Sequence, residues 1–220
     1  MRSRDSRQRR LATAGLYCCT DGRGDLSQFA AFVDAMFAAG VDIVQFRDKS
    51  MDPRTALPYI ECLRESANHH NSLSCVNDRA DLAAITGVDI VHVGQDDLTP
   101  QQARRIVGDE VLIGQSTHAL DEALAADRDP DVDYFAVGPV WPTPTKPGRP
   151  APGLSLIRDV SESACVTPWF AIGGIDEHRV AEVTTAGATR IVVVRALTMA
   201  QDVAEAASAL RSALGAGSNR

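Results

Sequence analysis

The sequence lacks two features that would each point to a particular class of protein. It has no excess of positive charge, since 29 acidic residues outnumber 22 lysines and arginines and give a net charge of −7. A chain without an overall basic field is not expected to bind nucleic acid, so any anionic ligand must be met by local cations or by a metal ion. It also has no apolar run long enough to span a bilayer, and we predict no membrane insertion.

Cysteine is scarce as well. The five cysteines include no CxxC pair, and Cys18 and Cys19 are adjacent within an apolar run. An odd number of cysteines without such a pair is typical of a reduced cytosolic protein rather than a disulfide scaffold. The basic start, MRSRDSRQRR, precedes an apolar stretch that is too short for a signal peptide and has no convincing cleavage site. We therefore predict a cytoplasmic protein.

Short β-branched or aromatic runs alternate along the chain with alanine-rich segments of helical period. The strand candidates are GLYCCT, VDIVQFR, LSCVND, DIVHVG, VLIGQST, YFAVGPV, WFAIGG and RIVVVRA. Near-continuous apolar strands joined by helical crossovers indicate a parallel sheet covered by helices. Eight such units predict an α/β fold, a single-domain (β/α)8 TIM barrel, with a doubly wound open sheet as the alternative.

The chain divides into one catalytic domain and two short ends. We predict that residues 1–10 form a disordered basic tail, residues 11–215 form the barrel and residues 216–220 form a frayed tail. The stretch DRDPDVD, at residues 127–133, briefly resembles a calcium loop. Val132 occupies the place that such a loop reserves for glycine, so we predict a solvated turn instead.

Polar residues follow several predicted strands at the points where the strands end. In a (β/α)8 barrel the active site is built there, from the strand ends and the loops after them. These residues are Gln45, Arg47 and Lys49 after the second strand, Asn77 and Asp78 after the third, His92, Gln95, Asp96 and Asp97 after the fourth, and Ser116 and His118 after the fifth. We predict that they share one rim of the barrel.

The sixth strand is followed by GPVWPTPTKPG, a proline-rich loop that carries Thr143, Thr145 and Lys146. Its prolines exclude a helix or a central strand, and its hydroxyls and ammonium suit an anionic ligand, with an ordered turn as the alternative. The seventh strand ends in IGG, where Gly173 and Gly174 let backbone N–H groups approach a phosphate. The loop and the two glycines therefore predict an anion site.

Three cations, Arg47, Lys49 and Lys146, and two carboxylates, Asp78 and Asp97, fall on this predicted rim. Magnesium prefers a few carboxylate oxygens together with phosphate oxygens and waters. A pyrophosphate held by Mg²⁺, arginine and lysine is a good leaving group, because the negative charge that develops on it is neutralised. The alternative is a set of ion pairs that only stabilise the loops.

Taken in order, these motifs resemble the thiamine-phosphate synthase family over nearly the whole globular chain. LYCCTD is similar to the family's LYxxTD, QFRDK to QxRxK, VND to ND, HVGQDD to HxGQxD, GQSTH to GxSxH, and GPVWPTPTKPG to GPxxPTxTK. No single motif is decisive. Their order and their placement on successive strand ends make the resemblance specific.

The resemblance implies a transferase that joins 4-amino-5-hydroxymethyl-2-methylpyrimidine diphosphate to 4-methyl-5-(2-hydroxyethyl)thiazole phosphate and releases thiamine phosphate and pyrophosphate. It implies Mg²⁺ as the cofactor, small molecules as the substrates and a dissociative substitution. By resemblance, Asp78 and Asp97 bind Mg²⁺, Arg47, Lys49, Lys146, Ser116 and Asn77 hold the diphosphate, Gln45 and His92 contact the pyrimidine, and Thr143, Thr145 and the Gly174 backbone face the thiazole phosphate. Of these, Arg47, Lys49, Lys146 and Ser116 are expected to be catalytic.

One position departs from the family pattern. Arg195 stands in VVVRA where the family usually has the serine of VVSA, so it either replaces a phosphate contact with charge or turns to an acidic neighbour. Two other functions stay open: an isomerase like thiazole tautomerase, and a non-catalytic barrel that binds a phosphorylated metabolite. Neither needs paired carboxylates beside a cationic cluster, which favours the synthase. The sequence also leaves a homo-oligomer open.

Overall fold

The strands form where β-branched, aromatic and cysteine side chains run together, and nearly every strand residue is buried. The structure is a computed structural model that describes residues 2–142 and 151–217. The strands are β1 (Leu16–Thr20), β2 (Ile43–Phe46), β3 (Leu73–Asn77), β4 (Ile90–Val93), β5 (Leu112–Thr117), β6 (Tyr134–Val137), β7 (Trp169–Ile172) and β8 (Ile191–Val193). They pair in parallel, in chain order, and the barrel closes where Leu16 lies opposite Ile191. The predicted (β/α)8 barrel is confirmed.

Helices cover the outside of the barrel, and several begin at a side chain that caps them. The helices are α1 (Arg4–Thr13), α2 (Leu26–Ala38), α3 (Pro53–His69), α4 (Ala80–Thr86), α5 (Pro100–Val107), α6 (Leu120–Arg128), α7 (Leu154–Glu162), α8 (Val180–Thr185), α9 (Arg195–Thr198) and α10 (Val203–Gly217). Asp25, Asp52 and Thr99 each accept a hydrogen bond from the backbone N–H three residues later. Among the described residues, no helix is both long and apolar enough to cross a bilayer.

Aromatic rings fill the interior of the barrel. Tyr17, Tyr134 and Phe170 pack edge to face, with ring centroids 5.5 to 6.1 Å apart. Gly114 makes room for this cluster, because a Cβ at that position would lie 2.2 Å from the Tyr134 ring. The rings therefore close the barrel below the strand ends and form a solid floor for anything that binds above them.

The N-terminal segment differs from the prediction. Residues 1–10 were expected to be disordered, but α1 begins at Arg4 and packs across the N-terminal end of the barrel. Arg7 is 1% exposed; its Nε donates to Asp89 at 3.0 Å and its Nη1 to the Glu110 carbonyl at 2.6 Å. The prediction is wrong because the basic side chains find acidic partners that are distant in sequence. At the other end, α10 continues through Gly217, and residues 218–220 lie outside the described residues.

A Val-Asp pair precedes β2, β4 and β6, and each aspartate ties its strand to the preceding one. Carboxylates accept backbone N–H bonds as follows: Asp42 from Leu16 at 2.9 Å, Asp89 from Ser74 at 3.0 Å, and Asp133 from Ile113 at 2.9 Å. Asp133 is 9% exposed, so the predicted solvated turn at residues 127–133 ends in a buried carboxylate. The three aspartates stabilise the end of the barrel opposite the strand ends that carry the predicted site.

Candidate functional site

Two adjoining cavities lie at the C-terminal ends of the strands, above the aromatic floor. The larger, of about 350 Å³, is lined by Tyr17, Cys19, Gln45, Arg47, Asn77, His92, Ser116, His118, Ala136, Gly138, Pro139, Ile172, Gly173, Gly174, Ile175, Asp176, Arg179, Val192, Val193, Val194, Arg195 and Ala196. The smaller, of about 100 Å³, is lined by Arg47, Lys49, Asn77, Asp78, Gly94, Gln95, Asp96, Asp97 and Ser116. Arg47, Asn77 and Ser116 line both, so the two cavities meet at these side chains.

Every predicted site residue that the structure describes lines one of the two cavities. This convergence follows from the parallel barrel, because all eight strands end at the same rim. Thr143, Thr145 and Lys146 lie outside the described residues. The chemical role of each residue stays a prediction.

The smaller cavity brings two carboxylates and an ammonium together. Lys49 Nζ lies 2.9 Å from Asp78 Oδ2, and Asp97 Oδ2 accepts a hydrogen bond from the Gly94 N–H at 2.9 Å. Burial raises the pKa of Asp78; the Lys49 ammonium opposes this shift, and the neighbouring Asp97 carboxyl adds to it. The two carboxyls therefore resist ionising together without an added positive charge.

This donor set fits Mg²⁺. Two carboxylates that disfavour each other's ionisation gain from a divalent cation between them, and Mg²⁺ takes its other ligands from water and from phosphate. Within the part of the chain that the structure describes, no group of three or more His, Cys, Asp or Glu residues is arranged to hold a metal. A magnesium ion held by Asp78 and Asp97 would therefore take its remaining ligands from water or from a substrate.

A hydrogen-bonded path crosses the floor of the larger cavity. Gln45 Nε2 donates to Tyr17 Oη at 2.6 Å, and Tyr17 Oη lies 3.1 Å from Tyr134 Oη. His92 Nδ1 lies 2.9 Å from Tyr134 Oη, and His92 Nε2 lies 3.0 Å from Ser116 Oγ. The path joins the predicted pyrimidine contacts to a predicted diphosphate contact through two tyrosines.

The opposite side of the larger cavity is built on Gly173 and Gly174. Their φ angles are 108° and 71°, and a Cβ on Gly173 would lie 2.6 Å from Pro139 Cα. Arg179 Nη1 donates to the Gly174 carbonyl at 3.0 Å, and its guanidinium carbon lies 5.0 Å from the centre of the Trp141 ring. Arg179 thus anchors the glycine turn to the start of the proline-rich loop.

Two arginines at the cavities have guanidinium groups without a partner in the part of the chain that the structure describes. The guanidinium groups of Arg47 and Arg195 form no hydrogen bond or ion pair with any other residue in ranges 2–142 and 151–217. Arg47 is half-buried where the cavities meet, and Arg195 is exposed at the start of α9. Arg195 therefore does not turn to an acidic neighbour among the described residues, and its charge is available to a ligand.

Sequence reasoning missed Tyr17, Tyr134 and Arg179 as site residues. Tyr17 and Tyr134 sit within strands that were predicted as buried, and their hydroxyls gave no separate signal in the sequence. Arg179 follows the glycine pair and looks like any charged residue at the start of a helix. His118, which was predicted on the rim, bonds through Nδ1 to the Gly138 carbonyl at 2.5 Å.

The strands form a closed parallel barrel, and two cavities lie at their C-terminal ends. One cavity is large enough for a heterocyclic ring, and the other is lined by cations and carboxylates. These features define a barrel enzyme that acts on small anionic molecules. The family described as thiamine monophosphate synthase matches residues 16–197. The chain belongs to this family.

Individual relatives agree with the family match. A thiamine-phosphate synthase from Mycobacterium sp. (strain KMS) is 53% identical over 213 residues, which cover 93% of this chain and 94% of the relative. One from Thermobifida fusca (strain YX) is 51% identical over 207 residues, with 94% and 95% covered. The solved structure of thiamine phosphate pyrophosphorylase from Pyrococcus furiosus is 30% identical with a TM-score of 0.83, and the match covers 96% of this chain and 98% of that one.

The sequence predictions of fold, family and enzyme class are confirmed by these comparisons. Members of the family are transferases of thiamine biosynthesis, as the resemblance implied.

Proposed function

We propose that the chain condenses the aminopyrimidine diphosphate with the thiazole phosphate, releases pyrophosphate, and uses Mg²⁺ to do so. The observation that carries the proposal is the junction of the two cavities. A larger cavity with an aromatic floor suits two flat heterocycles, and it opens at Arg47, Asn77 and Ser116 into a smaller cavity with the charges that suit a diphosphate. The bond that breaks would lie at this junction.

The diphosphate would bind in the smaller cavity. Arg47 offers a guanidinium that no described residue neutralises, and Lys49 offers an ammonium that is 60% exposed. Asn77 and Ser116 would add neutral hydrogen bonds, and Lys146 would add a third cation from the loop. Donors that are already oriented stabilise the negative charge that builds on a leaving group as its bond breaks.

Asp78 and Asp97 would hold the Mg²⁺. When bound, the ion neutralises charge on the diphosphate and so makes it a better leaving group. The chain's own task is to keep both carboxylates ionised and facing the cavity. Lys49 serves that task, because its ammonium opposes the effect of burial on the pKa of Asp78.

The pyrimidine would lie over the floor of the larger cavity, against Gln45 and His92. Its electron-rich ring stabilises the methylene cation left when the diphosphate departs, and the thiazole nitrogen then attacks that carbon. The electron pair of the broken carbon–oxygen bond leaves with the diphosphate. The lone pair of the thiazole nitrogen forms the new carbon–nitrogen bond. The attacking nitrogen carries no proton, so no general base is required.

The thiazole phosphate would bind at the glycine side of the larger cavity. The Gly174 backbone and the guanidinium of Arg195, which has no partner among the described residues, line that side. We propose that Thr143 and Thr145 add hydroxyl contacts from the loop. Arg195 then replaces the hydroxyl of the usual family serine with a full charge.

Pyrophosphate release from the two substrates, measured with and without Mg²⁺, tests the proposal. We expect release that requires both substrates and the metal. Equal release without the thiazole phosphate would mean hydrolysis, binding without turnover would mean a sensor barrel, and conversion of a carboxylated thiazole phosphate alone would mean an isomerase.

Lys146→Ala tests the transition-state role of the loop. Since its ammonium would gain interaction as charge builds on the diphosphate, kcat should fall by a larger factor than KM for the pyrimidine diphosphate rises. A raised KM with an unchanged kcat would make Lys146 a simple binding contact.

A further inference from the structure

The hydrogen-bonded path beneath the larger cavity consists of Gln45, Tyr17, Tyr134, His92 and Ser116. Its hydrogen bonds can all be donated towards Ser116, or those beyond Tyr17 can be donated in the opposite direction. Each of the five side chains is at most 8% exposed. Buried polar groups satisfy one another rather than water, so each hydroxyl proton must be given to a neighbour in the path or to a ligand. The direction decides whether Ser116 presents a proton or only lone pairs to the cavity.

The Gln45 end leaves Tyr17 with one proton, and the acceptor of that proton sets the direction. Gln45 Nε2 can only donate, so Tyr17 Oη accepts at 2.6 Å and has one proton left to give. Burial raises the pKa of both Tyr17 and Tyr134 well above the usual range, so both hydroxyls keep their protons. That proton goes either to Tyr134 or to Cys75. If it goes to Tyr134, then Tyr134 donates to His92 Nδ1, and His92 Nε2–H donates to Ser116 Oγ.

The opposite direction requires a weaker acceptor. Cys75 Sγ also lies near the Tyr17 hydroxyl, at 3.2 Å, but a thiol sulfur accepts hydrogen bonds poorly. If Tyr17 donated to Cys75, Tyr134 would donate to Tyr17, His92 Nδ1–H to Tyr134, and Ser116 to His92. Ser116 would then turn only lone pairs towards the cavity that Arg47 and Lys49 share with it, and an anionic ligand would meet no donor from Ser116.

We propose that Tyr17 and Tyr134 are positioning residues that orient this path from Gln45 to Ser116. Gln45 then presents its carbonyl oxygen to the larger cavity and accepts from an N–H group of the ligand, such as the amino group of the pyrimidine. Ser116 presents its hydroxyl proton and donates to an anionic oxygen of the diphosphate. The inference rests on the proposed function, because that function assigns the two ends of the path to the same substrate.

The tautomer of His92 tests the direction without any turnover. Nitrogen-15 NMR separates a ring nitrogen that carries a proton from one that carries a lone pair, and the loss of one signal set in His92→Gln assigns the resonances. We expect His92 in the wild type to carry its proton on Nε2 only. A proton on Nδ1, alone or together with Nε2, would overturn the proposal.

Two phenylalanine variants test the tyrosines, and the third tyrosine of the chain supplies the control. Tyr17→Phe and Tyr134→Phe keep the rings of the barrel floor, while Tyr59→Phe removes a hydroxyl that donates to the Gly24 carbonyl at 2.9 Å, outside both cavities. Tyr17→Phe and Tyr134→Phe should mix the two His92 tautomers, and Tyr59→Phe should leave the wild-type signal unchanged. If His92 still carried its proton on Nε2 only in both Tyr17→Phe and Tyr134→Phe, the tyrosines would not orient the path and the proposal would be wrong.

Kinetics of the same variants connect the path to the substrate. In Tyr17→Phe and Tyr134→Phe, kcat/KM for the pyrimidine diphosphate should fall by about tenfold, on the scale of one misdirected hydrogen bond, while KM for the thiazole phosphate stays within about twofold. Tyr59→Phe should match the wild type in both. Equal losses for the two substrates would mean that the tyrosines only support the barrel. A wild type that releases no pyrophosphate would instead refute the proposed function and leave the NMR result standing.

Discussion

At the N-terminal end of the barrel, Arg7 is 1% exposed and bonded to Asp89, whereas at the C-terminal end the side chains of Arg47 and Arg195 have no partner among the described residues. Both ends carry arginines and aspartates. At the first end, buried charges are paired and also accept or donate backbone hydrogen bonds. At the second, two aspartates face each other and two guanidinium groups face a cavity.

The two ends of the barrel differ in the role of their charges. Those at the N-terminal end stabilise the fold, and those at the C-terminal end are placed where a ligand can bind. A buried charge is costly unless it is paired and hydrogen-bonded, and Asp89 meets that condition with bonds from Arg7, Arg2 and Ser74. Asp78 meets it only in part, because its partner Lys49 is 60% exposed and the Asp97 carboxyl lies beside it, and burial raises the pKa of the Asp78 carboxyl. Substitutions at the two ends should therefore affect different measurements.

The largest effect is expected for Asp78→Ala and Asp97→Ala. Each variant loses one of the two carboxylates proposed to hold Mg²⁺, so kcat/KM should fall by the equivalent of several kcal/mol, and added Mg²⁺ should rescue it only in part. The free energy of unfolding should stay near that of the wild type in Asp97→Ala. It should fall by about 1 kcal/mol in Asp78→Ala, because Asp78 has a φ of 61° and pairs with Lys49. Full Mg²⁺-dependent activity in either variant would contradict the metal assignment.

For Arg7→Met we expect a loss of stability without a loss of activity. Removal of one partner leaves Asp89 with an incompletely paired charge in the barrel wall, which should lower the free energy of unfolding by about 3 kcal/mol. KM and kcat should be unchanged, because Arg7 lies at the far end of the barrel from both cavities. Chemical denaturation and steady-state kinetics measure the two quantities, and a variant as stable as the wild type would show that α1 does not brace the barrel.

A smaller effect is expected for Arg195→Ser, which restores the usual family residue. Since this guanidinium is exposed, its loss should weaken binding of the thiazole phosphate by about 1 kcal/mol, or roughly fivefold in KM. KM for the pyrimidine diphosphate should hardly change. Equal shifts for both substrates would assign Arg195 to the general field of the site rather than to the phosphate.

The smallest effect is expected for Arg79→Ala, at a charge pair that belongs to neither class. Arg79 and Asp81 form an ion pair whose side chains are 41% and 53% exposed. Solvent screens such a pair, so the free energy of unfolding should change by less than about 1 kcal/mol, and kinetics should be unaffected. A loss as large as that of Arg7→Met would show that burial is not what distinguishes the paired charges at the N-terminal end.

Most of the fold was predictable, because each strand is a near-continuous run of β-branched and aromatic residues. The rim residues were also predictable, since parallel strands in a closed barrel end at one edge. The helix α1 was not. Its arginines are as basic as those of a disordered tail, and Asp89 and Asp133, their partners, lie 82 and 129 residues away in the chain.

The sequence by itself determined the eight strands, the family and the rim on which the site residues meet, because these depend on local patterns and on short motifs in a definite order. Only the tertiary structure decided which charges are paired and which are available, and that Tyr17 and Tyr134 connect Gln45 to Ser116. Pairing and hydrogen bonding depend on distances between atoms that are far apart in the chain. Such distances exist only once the barrel has closed.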